Sequence, residues 1–230
     1  MSQRAGDDPL ANPTLVQATK KRPVERPIVA YPGFHVLDQQ EHWDEATRQV
    51  IMTRINQVPA FRFFKPHEIQ TLQALAARVL PQDDRPAEKR IPIAPWIDQR
   101  CYLRLLDGWR FDDMPPDDEA WRLGLLGIDE VAIASYGQQF ILLRPDEQDH
   151  VLRTIAGGQP PGEVWRNLPP RRFWIYIVLR QMTSIYYAHP TAWDEIGFGG
   201  PAYPRGYFAL NHGYPEPWEV REVRLDETSD

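Results

Sequence analysis

The sequence has only one cysteine, Cys101, among its 230 residues. A single thiol excludes an internal disulfide, a Cys-x-x-Cys redox pair and the covalent attachment of a c-type haem. Its neighbours in the sequence include Trp96, Ile97, Tyr102 and Leu105. We therefore expect Cys101 to be a small buried apolar residue rather than a nucleophile.

A surplus of basic residues is also missing. Lys and Arg total 26 against 32 Asp and Glu, which gives a formal net charge of −6 at pH 7. Proteins that bind nucleic acid through its phosphates usually carry a positive field. This composition therefore argues against nucleic acid as a partner.

Long apolar runs are absent from the sequence. The longest, Phe173–Leu179, is far shorter than the roughly 20 residues that a membrane-spanning helix needs. The basic residues 20–22 are not followed by the apolar core of a signal peptide. We expect no direct membrane span and no signal peptide, and hence a cytoplasmic protein, or a periplasmic one if a partner carries the export signal.

The common cofactor and catalytic fingerprints are not found either. The sequence has no Gly-x-Gly-x-x-Gly, no phosphate-binding P-loop and no Gly-x-Ser-x-Gly elbow. No two of its six histidines have the spacing of His-Glu-x-x-His. Glu147 and His150 form one isolated Glu-x-x-His pair, which we place on an exposed helix face. The sequence thus predicts no cofactor, no metal and no catalytic residue in this chain.

Proline, in contrast, is abundant, with 23 residues or about twice its average share. Many prolines favour short interrupted elements over a coiled coil or a large parallel sheet. Residues 1–36 are predicted to form an extended Pro-rich arm. Its residues 28–34 are apolar enough to pack against another part of the protein or a partner. Residues 37–196 are predicted to form one helical domain, and residues 197–230 an irregular extension rich in Gly, Pro and aromatic residues.

Apolar residues three and four positions apart predict helices through most of the central region. The predicted helices cover residues 38–58, 66–80, 93–106, 117–134, 145–157 and 171–188. The last of these also has the composition of a strand, but a buried helix is favoured because no turn signal interrupts it. Residues 218–225 alternate and could form one edge strand. The expected fold class is all-α, or mainly helical.

Five of these helices have a predicted apolar face. That of the second comprises Ile69, Leu72, Leu75, Ala76, Val79 and Leu80, and that of the fifth comprises Val151, Leu152 and Ile155. The first is expected to bury Trp43, Ala46, Val50, Ile51, Ile55 and Val58. The third is expected to bury Trp96, Ile97, Cys101 and Leu105. The fourth is expected to bury Ala120, Leu123, Gly127, Val131 and Ala134, and its small residues Gly124 and Gly127 would allow another helix to approach closely.

Residues 186–207 combine glycines with large aromatic side chains, as protein interfaces and pockets do. The segment either wraps the protein's own core or presents a surface to a partner, and one ring can do both. The candidate partner-binding residues, including those of the apolar arm, are Ile28, Tyr31, Phe34, Tyr186, Tyr187, His189, Trp193, Phe198, Tyr203 and Tyr207.

Several motifs in a fixed order resemble one protein family. They are Phe64-x-Pro66-x-Glu68, Leu80-Pro81-x-Asp83-Asp84, Gly124-Leu125-x-x-Ile128-Asp129, Tyr186-Tyr187-x-His189-Pro190 and Ile196-Gly197-Phe198-Gly199-Gly200-Pro201. Over about residues 61–207 the chain resembles the gluconate 2-dehydrogenase subunit 3 family. These proteins are small subunits of membrane-associated flavin sugar dehydrogenases.

The resemblance implies an all-helical accessory subunit without catalytic residues. Such subunits bind a large FAD-containing subunit of the glucose–methanol–choline type, and a multihaem cytochrome c subunit often completes the complex. The FAD is then held by the partner. Many members carry a twin-arginine export signal, and this sequence departs from them there. The residues alone leave one alternative open, a stand-alone helical enzyme with a site assembled from Glu68, Asp129, His150 and His189.

Overall fold

The structure is a computed structural model that describes residues 29–31, 33–105, 107–204, 206, 219–220 and 223–224. In chain order its α-helices are α1 (Glu45–Asn56), α2 (Pro66–Val79), α3 (Ile93–Leu103), α4 (Asp117–Tyr136), α5 (Pro145–Gly157), α6, which runs without a break through Pro170–Arg172, Phe173–Leu179 and Arg180–Tyr187, and α7 (Pro190–Ile196). Short 3₁₀ helices occupy Val36–His42, Ala87–Lys89, Phe140–Leu142 and Val164–Arg166. The prediction of a mainly helical fold is confirmed.

Proline sets the start of four of these helices. Pro66, Pro145, Pro170 and Pro190 each occupy the first turn of a helix. The first-turn N–H groups of a helix have no partner within it, so a residue without an N–H loses nothing there. The high proline content therefore marks helix boundaries, and it does not prevent helix formation.

The main core is built around α4. Its buried face includes Trp121, Leu125 and Ile128, and the ring of Phe173 from α6 lies directly against Gly124. A Cβ at Gly124 would overlap that ring, so α4 and α6 can come this close only because the residue is glycine. The expected close helix approach is confirmed at this position.

A second, smaller cluster joins the start of the described chain to α7. Val36, Trp43, Ile51 and Trp193 form its buried centre. The Val36 N–H also donates to Oδ1 of Asp194 at 2.7 Å. Val36 falls inside the predicted arm but is fully buried, because it begins a 3₁₀ helix that packs on α7. The expectation of an extended arm over residues 1–28 lies outside the described residues.

Two short strands bring the two ends of the described chain together. Strand β1 (Val29–Ala30) pairs antiparallel with β2 (Val223–Arg224), Val29 lying opposite Arg224. The predicted edge strand within residues 218–225 is therefore present at Val223–Arg224.

The predicted helix over residues 38–58 is wrong as a single element. The helix is interrupted between the 3₁₀ helix and α1. Asp44 caps the start of α1 by accepting from the Thr47 N–H at 2.8 Å. The predicted buried face is also wrong in part, since Ala46, Val50 and Val58 are exposed. Helix α1 packs on the small second cluster through Ile51 and Ile55, so a narrow apolar stripe of it is buried.

Helix α3 ends earlier than predicted, at Leu103. Arg104 then adopts a left-handed backbone with φ of 51°, which is uncommon for a residue other than glycine. This turn directs the chain away from the core, and Leu105 is 52% exposed instead of buried. Ala134 is exposed too, together with its neighbour Ile133, although Tyr136 in the same last turn of α4 packs against the core.

Two other predictions are confirmed. The segment predicted as a helix over residues 171–188 is helical through Tyr187 and not a strand, with a π-helical stretch over Phe173–Leu179. Cys101 is buried, and burial raises the pKa of its thiol to about 12. Within the described ranges, no helix is both long and apolar enough to cross a bilayer.

Candidate partner surface and pocket

The aromatic residues of the C-terminal segment divide into buried and exposed rings. Tyr186 and Trp193 are buried, whereas Tyr187 is 47% and Tyr203 is 65% exposed. The Tyr186 hydroxyl donates to Oε2 of Glu195 at 2.7 Å. The Trp193 Nε1–H donates to the backbone oxygen of Tyr187 at 2.6 Å. Tyr186 and Trp193 therefore support this segment from inside, while Tyr187 and Tyr203 face solvent.

The candidate residues of the arm meet those of α7. Phe34 and Phe198 both pack against the second cluster. The ring of Tyr31 lies against Gly197, which ends α7 with a left-handed φ of 65°. The two candidate groups, distant in sequence, are thus brought together. Two other candidates, Ile28 and Tyr207, lie outside the described residues.

His189 has a local structural role. Its Nδ1 accepts from the Thr191 N–H at 3.3 Å and so caps the start of α7. Burial lowers the pKa of His189, and the positive charge of Arg54 lowers it further. Both effects favour the neutral ring, which is the form that can accept a hydrogen bond at Nδ1.

A group of exposed apolar side chains at the end of α3 was not predicted. We call Tyr102, Leu103, Leu105 and Trp109 the α3-end group; each is about half exposed. The Trp109 ring is nevertheless held, because it packs edge-on against Tyr176 at 6.1 Å. The apolar periodicity of α3 did not identify this exposed group, because it predicted Leu105 to lie on the buried face.

A pocket of about 310 Å³ opens between α3 and α6. Three arginines from different elements line it, Arg54 of α1, Arg100 of α3 and Arg180 of α6. Asp107, in the chain between α3 and α4, lies between two of them. Its Oδ1 accepts from Arg100 Nη2 at 2.9 Å, and its Oδ2 lies 3.3 Å from Arg180 Nη2. The other lining residues are Ile91, Trp96, Gln181, Ser184, Ile185, Ala188 and His189.

A buried chain of hydrogen bonds supports one side of the pocket. Trp121 Nε1–H donates to Oε1 of Gln181 at 2.9 Å, and Gln181 Nε2–H donates to Oδ2 of Asp117 at 2.9 Å. Burial raises the pKa of Asp117, and the nearby Asp107 raises it further. The fixed amide of Gln181 orients that part of α6 toward the pocket.

The four residues proposed for the alternative, a stand-alone enzyme, each make a hydrogen bond to a residue outside that set. Glu68 accepts from the Lys65 N–H at 2.7 Å and caps α2. Asp129 accepts from the Phe140 N–H at 2.9 Å, and its other oxygen lies 2.6 Å from Nε2 of His67.

The other two residues of this hypothetical enzyme site, His150 and His189, also hydrogen-bond to residues outside it. His150 pairs with the Tyr136 hydroxyl at 2.8 Å, and His189 caps α7. Glu147, the other half of the isolated pair with His150, accepts from the Arg144 N–H at 3.0 Å, and this bond holds its pKa below the usual range. Across the part of the chain that the structure describes, no group of three or more His, Cys, Asp or Glu residues could hold a metal.

Residues 66–200 match the family model described as gluconate 2-dehydrogenase subunit 3. This range runs from the start of α2 to just past α7 and covers more than half of the chain. The chain belongs to the gluconate 2-dehydrogenase subunit 3 family. The resemblance seen in the sequence is thereby confirmed. No curated protein and no solved structure gives a significant match.

The matched range includes much of what the site contains. Tyr187, the α3-end group and most of the pocket lie within it. Arg54 lies outside it, as do Tyr31 and Phe34. The family's name describes a subunit of a dehydrogenase, so membership indicates that this chain works as part of an enzyme complex.

Proposed function

We propose that the chain is the non-catalytic small subunit of a dehydrogenase complex. In this proposal it binds and stabilises a larger subunit of the glucose–methanol–choline type, which holds the FAD and oxidises a sugar, a sugar acid or a glycoside. A cytochrome c subunit would accept the electrons. The match of residues 66–200 to the family is the observation that carries the proposal.

The exposed rings favour one face for the partner. Trp109 and Tyr187 are each about half exposed; the Trp109 ring lies 5.1 Å from Arg180, which lines the pocket, and Ala188, the residue after Tyr187, lines it too. Both rings therefore lie near one cleft. Trp and Tyr are the residues that most often dominate binding energy at protein interfaces. We propose that Tyr187 and the α3-end group contact the large subunit.

Tyr186 and Trp193 have a different part in this proposal. Their side chains are buried and hydrogen-bonded within the chain. They would hold the backbone that presents Tyr187 and would not themselves meet the partner. The outward-facing Tyr203 would extend the contact surface.

Co-expression with a candidate large subunit, a flavoprotein of the glucose–methanol–choline type from the same genome, tests the proposal. A tag on this chain should recover the flavoprotein together with flavin absorbance near 450 nm and dye-reducing activity. The chain expressed alone should show neither. Dye-reducing activity in the chain alone would refute the non-catalytic role. A flavoprotein that is equally stable and active without this chain would refute the stabilising role.

Interface variants locate the contact. Tyr187→Ala and Trp109→Ala should each weaken assembly by about 2 kcal/mol, or roughly 30-fold in Kd, while the free subunit stays folded. Trp193→Ala should instead lower the melting temperature of the free subunit. Leu142→Ala is the matched control, because Leu142 is 64% exposed on another part of the fold. Unchanged affinity in both ring variants would remove this face from the interface.

A further inference from the structure

The pocket between α3 and α6 carries more positive than negative charge. Arg54, Arg100 and Arg180 line it with three guanidinium groups, and Asp107 contributes one carboxylate. The remaining titratable lining group, His189, is held toward its neutral form by burial. The described lining therefore has a formal surplus of two positive charges at pH 7.

Asp107 cannot neutralise all three arginines. Its two oxygens are shared between Arg100 and Arg180. Arg180 also lies 5.1 Å over the ring of Trp109, which helps to fix its position. Each guanidinium has five N–H donors, so one carboxylate leaves most donors of this pair available.

Arg54 is the cation with the least compensation. Its Nη1 donates to the backbone oxygen of Ala188 at 2.9 Å. Among the described residues, no carboxylate lies within ion-pairing distance of it. Removing a guanidinium from water without a counter-charge costs free energy, and here burial lowers the pKa of Arg54. An anion in the pocket would offset that cost.

The rest of the lining suits an organic molecule. Ile91, Trp96 and Ile185 supply apolar surface, and Ser184 and Gln181 supply a few polar groups. A volume of about 310 Å³ is at the small end of ligand pockets, which are mostly apolar with a few fixed polar groups. The pocket thus combines an apolar surface with a guanidinium group, which can bind a carboxylate or a phosphate through two hydrogen bonds.

We propose that this pocket binds a small organic anion, a carboxylate or phosphate ester on a compact apolar body, with Arg54 as its principal charged contact. Arg54 precedes residues 66–200, so the family match does not by itself predict the site. The proposal goes beyond the dehydrogenase role and does not depend on it.

Titration calorimetry on the full chain, without any partner, tests the proposal. The probes are benzoate and phenyl phosphate, with benzyl alcohol as their neutral counterpart. At least one of the two anions should bind saturably at one site, and the two arms distinguish a carboxylate from a phosphate ligand. Arg54→Gln should weaken that binding at least tenfold. Arg166→Gln should leave it unchanged, because Arg166 is 73% exposed and pairs with Glu163.

A second variant covers the case in which Arg54→Gln fails to fold. Ser184 is exposed on α6 and lines the pocket, so Ser184→Phe should fill the space and abolish binding in a folded protein. The absence of saturation by either anion at about 10 mM would overturn the proposal. Equal binding of benzyl alcohol, or binding that survives Ser184→Phe, would overturn it as well. None of these results would bear on assembly with the large subunit.

Discussion

Asp98 fixes the turn that leads into α2. Its carboxylate lies on α3 and is fully buried. Oδ2 accepts from the Arg62 N–H at 2.7 Å, and Oδ1 accepts from the N–H groups of Phe63 at 3.1 Å and Phe64 at 2.9 Å. One side chain therefore satisfies three backbone donors that precede the helix. We expect Asp98→Asn to destabilise the fold substantially.

The size of the effect follows from this geometry. Both carboxylate oxygens accept hydrogen bonds, so an amide in either orientation turns an NH₂ group toward a backbone donor. A hydrogen bond to a charged group contributes about 1.5–3 kcal/mol, and an unsatisfied buried donor adds a similar cost. We therefore expect Asp98→Asn to lower the free energy of unfolding by about 2–4 kcal/mol. For a chain of this length, that change lowers the melting temperature by roughly 4–16 °C.

Thermal and urea unfolding followed by circular dichroism at 222 nm measure this loss. Gln99→Ala is the control, because Gln99 is the next residue on α3 and its side chain accepts a hydrogen bond from the exposed Arg62 side chain, at 3.3 Å, rather than from the backbone of the turn. It should change stability by less than about 0.5 kcal/mol. Asp98→Ala should be at least as damaging as Asp98→Asn. If Asp98→Asn proved as stable as the unmodified protein, the three backbone contacts would not stabilise this turn.

Three further predictions follow from single sites. Gly124→Ala should lower the free energy of unfolding by about 1–3 kcal/mol, because the added Cβ would overlap the Phe173 ring. Gly157→Ala should not, because Gly157 has open space around it. Equal melting temperatures of the two variants would contradict this packing. Cys101 should react with a thiol reagent only when the protein unfolds, because burial raises its pKa to about 12, and rapid labelling of the folded chain would contradict this. The pKa of His189 is lower in the folded state, so the free energy of unfolding should fall as the pH drops below about 6.5. His189→Asn retains a capping acceptor and should make the free energy of unfolding less dependent on pH. An unchanged pH dependence in this variant would refute the role given to His189.

The helix positions could be read from the sequence because they depend on local chemistry. Prolines at 66, 145 and 170 coincide with helix starts, and the glycines at 157–158 coincide with the end of α5. The end of α3 could not be read in this way. Arg104 takes a left-handed conformation that its residue type does not favour, and its pairing with Asp118 at 3.6 Å depends on the folded arrangement.

The candidate site was predicted only in part, for a similar reason. Composition identified the aromatic residues of segment 186–207 but not which way each ring faces. Trp193 is buried and its indole donates to the Tyr187 backbone oxygen, whereas the Tyr187 ring is exposed, and this arrangement exists only in the folded chain. The pocket had no local signal at all, since Arg54, Arg100 and Arg180 come from three separate helices.

We propose that this chain binds a flavoprotein and holds no flavin itself. Native mass spectrometry of the co-expressed and purified assembly separates these two statements in one experiment. We expect one FAD mass in the intact complex, and we expect that mass to stay with the larger polypeptide when the subunits are separated by activation. The released small subunit should have the mass of its polypeptide alone. An FAD that leaves with the 26.7 kDa chain, or the failure of any flavoprotein to join it, would contradict the account.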